Sequence, residues 1–197
     1  MKKITLSIIA LFFAGQMSFA QAVSEHAIIP VSVTLNSILR LNVVTGGNIE
    51  FVVNTIDQYT NGISNSTQYT TNFTVASSTD FDVTLMAEDA TLIGSDNSAH
   101  TMTLDNIGYT TVANAAATGA DPGNWGLQAI TALTNASATI VTGVAGASAG
   151  DVVQNNFDIQ WELGTNGGGG MNASSLLTQS IAADRYVTNV FIDLVAK

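Results

Sequence analysis

The feature of this sequence that most constrains its fold is an alternation of apolar and polar residues with a period of two. The clearest case lies over residues 157–163, where large apolar side chains occupy every second position. Successive side chains of a β-strand point to opposite faces, so this spacing builds a strand with one buried face. The same spacing recurs over residues 31–43, 49–53, 69–75 and 81–85. It predicts an all-β protein.

The spacing of these short strands favours a single antiparallel β-sandwich, immunoglobulin-like or pilin-like, with about eight to ten strands. Hydrophobic residues make up 46% of the 197-residue chain, which is enough to build a core. No stretch after residue 20 combines helical periodicity with capping residues at both ends.

The segments between the clearest strands are predicted from their composition. We expect a polar loop over residues 54–68, and loops with weak edge strands over 114–150, where 138–144 can still form a strand. Asp105-Asn106 is a candidate hairpin turn. Residues 185–195 are apolar on both faces, which favours a strand in a central or covered position.

The first 20 residues have the organisation of a secretory signal peptide. Lys2 and Lys3 precede a short apolar run, and small residues, Ser18 and Ala20, stand before the expected cleavage site. The apolar run is too short to span a bilayer comfortably. We therefore predict a signal peptide over 1–20, a β-sandwich domain over 21–197, and a secreted protein without a stable membrane span after cleavage.

The charge and the cysteine count exclude several classes of function. Signal cleavage would leave three basic residues, Arg40, Arg185 and Lys197, against 15 acidic ones, a net charge of −12. A phosphate-binding face needs clustered Lys and Arg, so we expect no nucleic-acid partner. The absence of cysteine excludes disulfides, thiolate metal sites and a cysteine nucleophile.

The residues needed for catalysis are scarce. His26 and His100 are the two histidines, and both stand in polar surroundings where we expect solvated surface side chains. No G-x-S-x-G turn supplies an activated serine for a Ser–His–Asp arrangement. We expect a protein that is not an enzyme.

Asp80 and Asp82 are candidate calcium ligands. They stand two positions apart on a predicted strand, so both carboxylates share one face, and further acidic residues follow in the next loop. Calcium takes six to eight oxygen ligands. The alternative is a solvated polar sheet face, and no D-x-D-x-D-G loop strengthens the calcium interpretation. No other cofactor is expected.

Trp125 and the glycine run 167–170 are the other candidates. Trp125 stands in a predicted turn, where an exposed indole would stack on a sugar and a buried one would cap the core. The four consecutive glycines lack the lysine and the following helix of a phosphate-binding loop. We expect them to form a flexible linker.

Apolar sequence that favours β-structure follows soon after the predicted cleavage site, and its side chains must be shielded from water by another part of the protein or by a partner. It can be the first strand of its own sandwich, or it can insert into a neighbouring subunit by β-strand addition. The sequence leaves both alternatives open. The candidate donor-strand residues are Ile28, Ile29, Val31, Val33 and Leu35.

Three segments carry a resemblance to a known kind of protein: Ile29-Pro30-Val31-Ser32-Val33, Ser78-Thr79-Asp80-Phe81-Asp82-Val83-Thr84-Leu85 and Ala182-Ala183-Asp184-Arg185-Tyr186-Val187-Thr188-Asn189-Val190. With these segments the chain resembles secreted bacterial surface-fibre subunits, the pilin-like β-sandwich modules of cell-envelope proteins. It lacks the cysteine pair of many chaperone–usher pilins.

The resemblance implies a structural, polymerising or adhesive role, with copies of itself or other surface proteins as partners and no catalytic residues. We therefore expect an extracellular or cell-surface fibre subunit that polymerises by exchange of its N-terminal strand. The alternative is a monomeric carbohydrate-binding or adhesion module, assisted by calcium.

Overall fold

The computed structural model describes residues 27–117, 121–166 and 168–197. The chain divides into two units, of which the second, Asn36–Lys197, is compact and the first ends at Leu35. Within the first unit, residues 27–35 have no regular secondary structure and their side chains are exposed. The predicted signal peptide and His26 lie outside the described residues. No helix in the described part of the chain combines the length and apolar character that crossing a membrane requires.

The second unit is built almost entirely from antiparallel strands, which confirms the all-β prediction. Among its described residues, one short helix, α1 (Ile56–Asn61), and three 3₁₀ turns interrupt them. The strands are β1 (Leu39–Thr45), β2 (Thr70–Ser77), β3 (Phe81–Ala87), β4 (Thr91–Gly94), β5 (Thr101–Thr103), β6 (Ile107–Ala113), β7 (Trp125–Leu127), β8 (Thr131–Ala132), β9 (Ala138–Gly143), β10 (Asn156–Leu163), β11 (Tyr186–Val187) and β12 (Val190–Ala196).

The largest sheet has the order β1-β2-β10-β6-β8. Its centre is β10, the strand with the clearest alternation, whose Phe157 and Ile159 are fully buried. Phe157 lies opposite Phe73 of β2 and Ala113 of β6. The indole N–H of Trp161 donates to the Thr71 hydroxyl at 3.0 Å, which satisfies a buried donor at the centre of the sheet.

A four-stranded sheet, in the order β12-β3-β9-β7, packs on the inner face of the first. Its buried residues, including Val83, Leu85 and Ile140, share one hydrophobic core with those of the five-stranded sheet. Trp125 of β7 meets Phe157 edge-on, with 5.2 Å between the ring centroids, so aromatic contacts join the two sheets. A third sheet, β11-β4-β5, covers one end of the core.

Among the described residues the two packed sheets contain nine strands, in agreement with the predicted eight to ten, and the third sheet adds three strands of two to four residues. One prediction for a single segment is wrong. The segment 185–195 is not a central strand: it divides into β11 and β12, and β12 lies at a sheet edge. Phe191 and Val195 on its outer face are exposed.

Two predicted turns also differ from the structure. The candidate hairpin at Asp105-Asn106 is a 3₁₀ turn that carries the chain between sheets, since β5 pairs with β4 and β6 pairs with β10 and β8. The polar loop 54–68 contains α1, which begins with a capping box formed by Thr55 and Gln58. That Thr-x-x-Gln spacing is visible in the sequence.

Candidate interaction groove

The second unit contains a groove with a cavity of about 500 Å³ that is lined by both apolar and polar residues. One wall is formed by residues 46–53, which follow β1, and the other by residues 181–192, which include β11 and the start of β12. The floor belongs to the hydrophobic core and includes Leu92, Ile107, Leu133, Trp161, Leu163 and Leu176. An apolar floor of this kind can accept an apolar ligand or an apolar segment of chain.

The first wall is an extended segment that belongs to no sheet. Ile49, Phe51 and Val53 are half-buried against the core, while Glu50 and Val52 are exposed, as the alternation predicts. The Phe51 ring stacks on Tyr69, with 4.4 Å between the centroids. Among the described residues, the backbone of 48–53 forms no backbone hydrogen bond. Its N–H and C=O groups therefore remain open to a partner strand.

The second wall presents half-buried apolar side chains from β11 and the start of β12, which pair with β4 and β3. Tyr186, Val190 and Ile192 pack against the core. The Tyr186 hydroxyl donates to the Ala182 carbonyl at 2.7 Å, and burial raises the pKa of this phenol. In the described chain β12 pairs only with β3, so its other edge is also unpaired.

The carboxylate of Asp184 holds this second wall to the loop between β4 and β5. Its side chain is completely buried, and its oxygens accept hydrogen bonds from the backbone N–H groups of Asp96, Asn97 and Arg185 at 2.9, 3.1 and 2.7 Å. His100 Nδ1 lies 3.0 Å from Asp184 Oδ2. The N–H of Asp96, helped by His100 and the other two N–H groups, lowers the pKa of Asp184 to about 2.

An ion pair joins the two walls on the solvent side. Arg185 Nε lies 3.3 Å from Glu50 Oε1, and both side chains are more than half exposed. The apolar rim residues Val43 and Val187 are 41% and 44% exposed. The groove therefore exposes apolar rim side chains that the rest of the second unit covers incompletely.

The five candidate donor-strand residues are highly exposed, as a segment available to a partner must be. Val31, Val33 and Leu35 are 85%, 78% and 90% exposed, and Ile28 and Ile29 are similarly open. Residues 27–38 are not part of a strand, although the sequence predicts one long strand or two collinear ones over 31–43. Only its C-terminal part, from Leu39, is paired as β1.

Asp80 and Asp82, the candidate calcium ligands, are both engaged by donors of the protein itself. Asp80 accepts from the N–H groups of Gly146 and Ser148 and from the Ser148 hydroxyl, and the Gly146 N–H is the largest cause of a lowered Asp80 pKa. Asp82 accepts from Lys197 Nζ at 2.9 Å and from the N–H of Gly143. The calcium interpretation stays a prediction.

Neither Trp125, a candidate for stacking on a sugar, nor His100, expected to be solvated, is a fully exposed side chain. Trp125 is only 6% exposed, so the face that would stack on a sugar lies in the core, as in the alternative interpretation. His100 is not a freely solvated side chain, because its two ring nitrogens lie within hydrogen-bonding distance of Asp184 and Asn97. Of the glycine run, Gly169 is fixed by its carbonyl, which accepts from the N–H of Ala132.

The sequence matches no model of a known protein family, and no curated protein sequence matches it either.

Sequence reasoning did not anticipate the groove. The alternation of Ile49, Phe51 and Val53 is visible, but it predicts a paired strand, and pairing depends on which distant segment lies alongside. The role of Asp184 is hidden for the same reason, because three of its four hydrogen-bond partners come from a loop more than 80 residues earlier.

Proposed function

We propose that this protein is a secreted, non-enzymatic structural subunit of an extracellular or cell-surface fibre, joined to its neighbours by its N-terminal strand. The observation that carries the proposal is the exposed apolar face of residues 28–35. Ile29, Val31, Val33 and Leu35 share that face by alternation, and a solvated chain gains nothing from keeping it exposed. An acceptor on a second copy would bury it.

The size of the apolar face is compatible with a stable contact between two subunits. Burying side chains of this type contributes about 1.5–3 kcal/mol each, so the face would contribute on the order of 10 kcal/mol before the entropy of ordering the segment is subtracted. Main-chain hydrogen bonds to an acceptor strand would add to this. The signal-peptide pattern supports the placement outside the cell, where a cysteine-free subunit needs no oxidative folding.

The test is electron microscopy of the secreted protein, comparing two variants of equal charge. Val31→Asp/Val33→Asp places two carboxylates on the apolar face, and Ser32→Asp/Thr34→Asp places two on the opposite face. We expect filaments of uniform width from the wild type and from the second variant, and dispersed subunits from the first. Burial of unpaired carboxylates is strongly unfavourable, whereas carboxylates on the outer face stay in water.

A deletion gives an independent check. Removal of Gln21–Leu35 should abolish assembly and leave a domain that binds a peptide of that sequence. If the truncated protein still forms filaments, the N-terminal strand is not the joint and the proposal is wrong.

A further inference from the structure

We infer that the acceptor for residues 28–35 of a second copy is the groove between residues 46–53 and 181–192. The inference rests on the proposed function and specifies which surface of the second subunit receives the N-terminal strand. The incoming strand would run alongside segment 48–53 and the free edge of β12, and it would have to separate Arg185 from Glu50, because their ion pair joins the two walls on the solvent side. Its apolar side chains would face the buried floor.

The backbone supports this position. Segment 48–53 belongs to no sheet and forms no backbone hydrogen bond among the described residues, and β12 is paired on one side only. A strand that lies about 4.7–4.9 Å from either backbone can pair with it. The other outer strands of the two large sheets are β1, β7 and β8. β7 and β8 have three and two residues, too few to pair with a segment of eight. β1 contributes Val43 to the groove itself.

The side chains also match. The floor is formed by buried apolar residues, so an apolar face inserted there loses contact with water and a polar one leaves hydroxyls without partners. Residues 29, 31, 33 and 35 are all apolar, whereas Ile28, Ser32 and Thr34 are on the opposite face. Pro30 is on that opposite face too, and its missing N–H removes only one possible hydrogen bond.

A second copy is the occupant that satisfies both exposed surfaces at once. The donor residues Val31 and Leu35 and the rim residues Val43 and Val187 are all exposed in a single molecule. Docking the donor residues of one subunit over the rim residues of another would cover apolar surface on both subunits. The donor segment of the second subunit would remain free, so that the same contact can repeat. A head-to-tail contact of this kind produces a filament rather than a closed dimer.

The absence of cysteine allows a direct test by disulfide cross-linking in the full-length protein. Donor variants carry one cysteine each, at Val31, Ser32, Val33 or Thr34, and are mixed with an acceptor variant, Val187→Cys or Val144→Cys. The acceptor sites are matched, because both are valines that are 44% exposed, but only Val187 lines the groove. The product measured is the mixed dimer on a non-reducing gel.

We expect at least one donor to give roughly tenfold more mixed dimer with Val187→Cys than with Val144→Cys, since a disulfide needs Cα atoms about 4.4–6.8 Å apart. If filaments form but cross-linking is equal at the two positions, or stronger at Val144, the groove is not the acceptor and the proposed function stands. If the wild type forms no filaments and no pair cross-links, the proposed function fails and this inference fails with it. A small apolar molecule that occupies the groove in assembled fibres, detected by native mass spectrometry, also overturns it.

Discussion

Asp184 has a buried, hydrogen-bonded environment that its neighbours in the sequence do not predict. It is one of 15 acidic residues in the chain, yet it is buried and accepts three backbone N–H groups while His100 lies beside it. These contacts hold the loop between β4 and β5 against one wall of the groove. A buried carboxylate is stable only when such donors surround it, because its charge has lost its hydration.

This environment makes stability depend on pH. The pKa of Asp184 is lowered from 3.8 to about 2 in the folded protein. The stabilisation from its ionised form is complete above the unfolded pKa and is lost as the pH falls through the folded value. In Asp184→Asn we expect a lower melting temperature at pH 7 and a smaller loss of stability between pH 4 and pH 2 than in the wild type.

Thermal unfolding followed by circular dichroism at a series of pH values measures this. Asp193→Asn is the control, because it removes the same charge from an exposed position on β12. An Asp184→Asn protein with the wild-type pH dependence would show that the buried carboxylate does not carry the effect.

At the level of strands and turns, the groove depends on how the chain leaves β1. Gly46 begins the wall segment with a φ of +67°, and a Cβ at this position would lie 2.1 Å from the Thr70 carbonyl oxygen. The conformation therefore requires glycine for two reasons, the left-handed backbone and the close approach of β2. The turn directs residues 48–53 away from the sheet that β1 belongs to.

Gly146 offers a matched comparison, because its φ of +75° is similar but a Cβ added there would have no neighbouring atom within 4 Å. Gly146→Ala should cost about 1–2 kcal/mol of unfolding free energy, the penalty for a left-handed residue. Gly46→Ala should cost clearly more, since the backbone of β2 must also move. Urea unfolding measures both variants, and equal costs would show that the close approach to Thr70 is relieved without loss of stability.

The strands that the sequence identifies best are those whose alternation coincides with burial on one face. β2, β3 and β10 are correct because their inward residues, such as Phe73, Val83 and Ile159, are apolar and most of their outward residues are polar. The same alternation over residues 31–35 and 49–53 occurs without pairing. Alternation reports which face a side chain prefers, whereas pairing depends on a neighbour that is distant in sequence.

The charge of the molecule affects its proposed assembly. Removal of the predicted signal peptide would leave each subunit with a net charge of −12. Subunits with this charge would repel one another over about 30 Å at 10 mM salt but only about 8 Å at 150 mM. We therefore expect filaments to form faster in 150 mM than in 10 mM sodium chloride. Light scattering measures the assembly half-time.

Two variants separate this charge effect from a general effect of salt. Asp57→Asn and Asp193→Asn change exposed carboxylates outside the groove lining, and together they should accelerate assembly at 10 mM salt while changing little at 150 mM. Slower assembly at the higher salt concentration would indicate that ionic attraction, rather than apolar contact, drives the association.

The sequence by itself determined the all-β class, the inward faces of the main strands and the shortage of catalytic groups, because these follow from local periodicity and composition. The tertiary structure decided that β12 lies at an edge, that Trp125 is in the core, and that residues 46–53 and 181–192 line one groove, in which segment 48–53 forms no backbone hydrogen bond among the described residues. The edge position of β12 and the groove depend on contacts between segments more than 100 residues apart, and an alternating pattern specifies only which of its faces is to be covered.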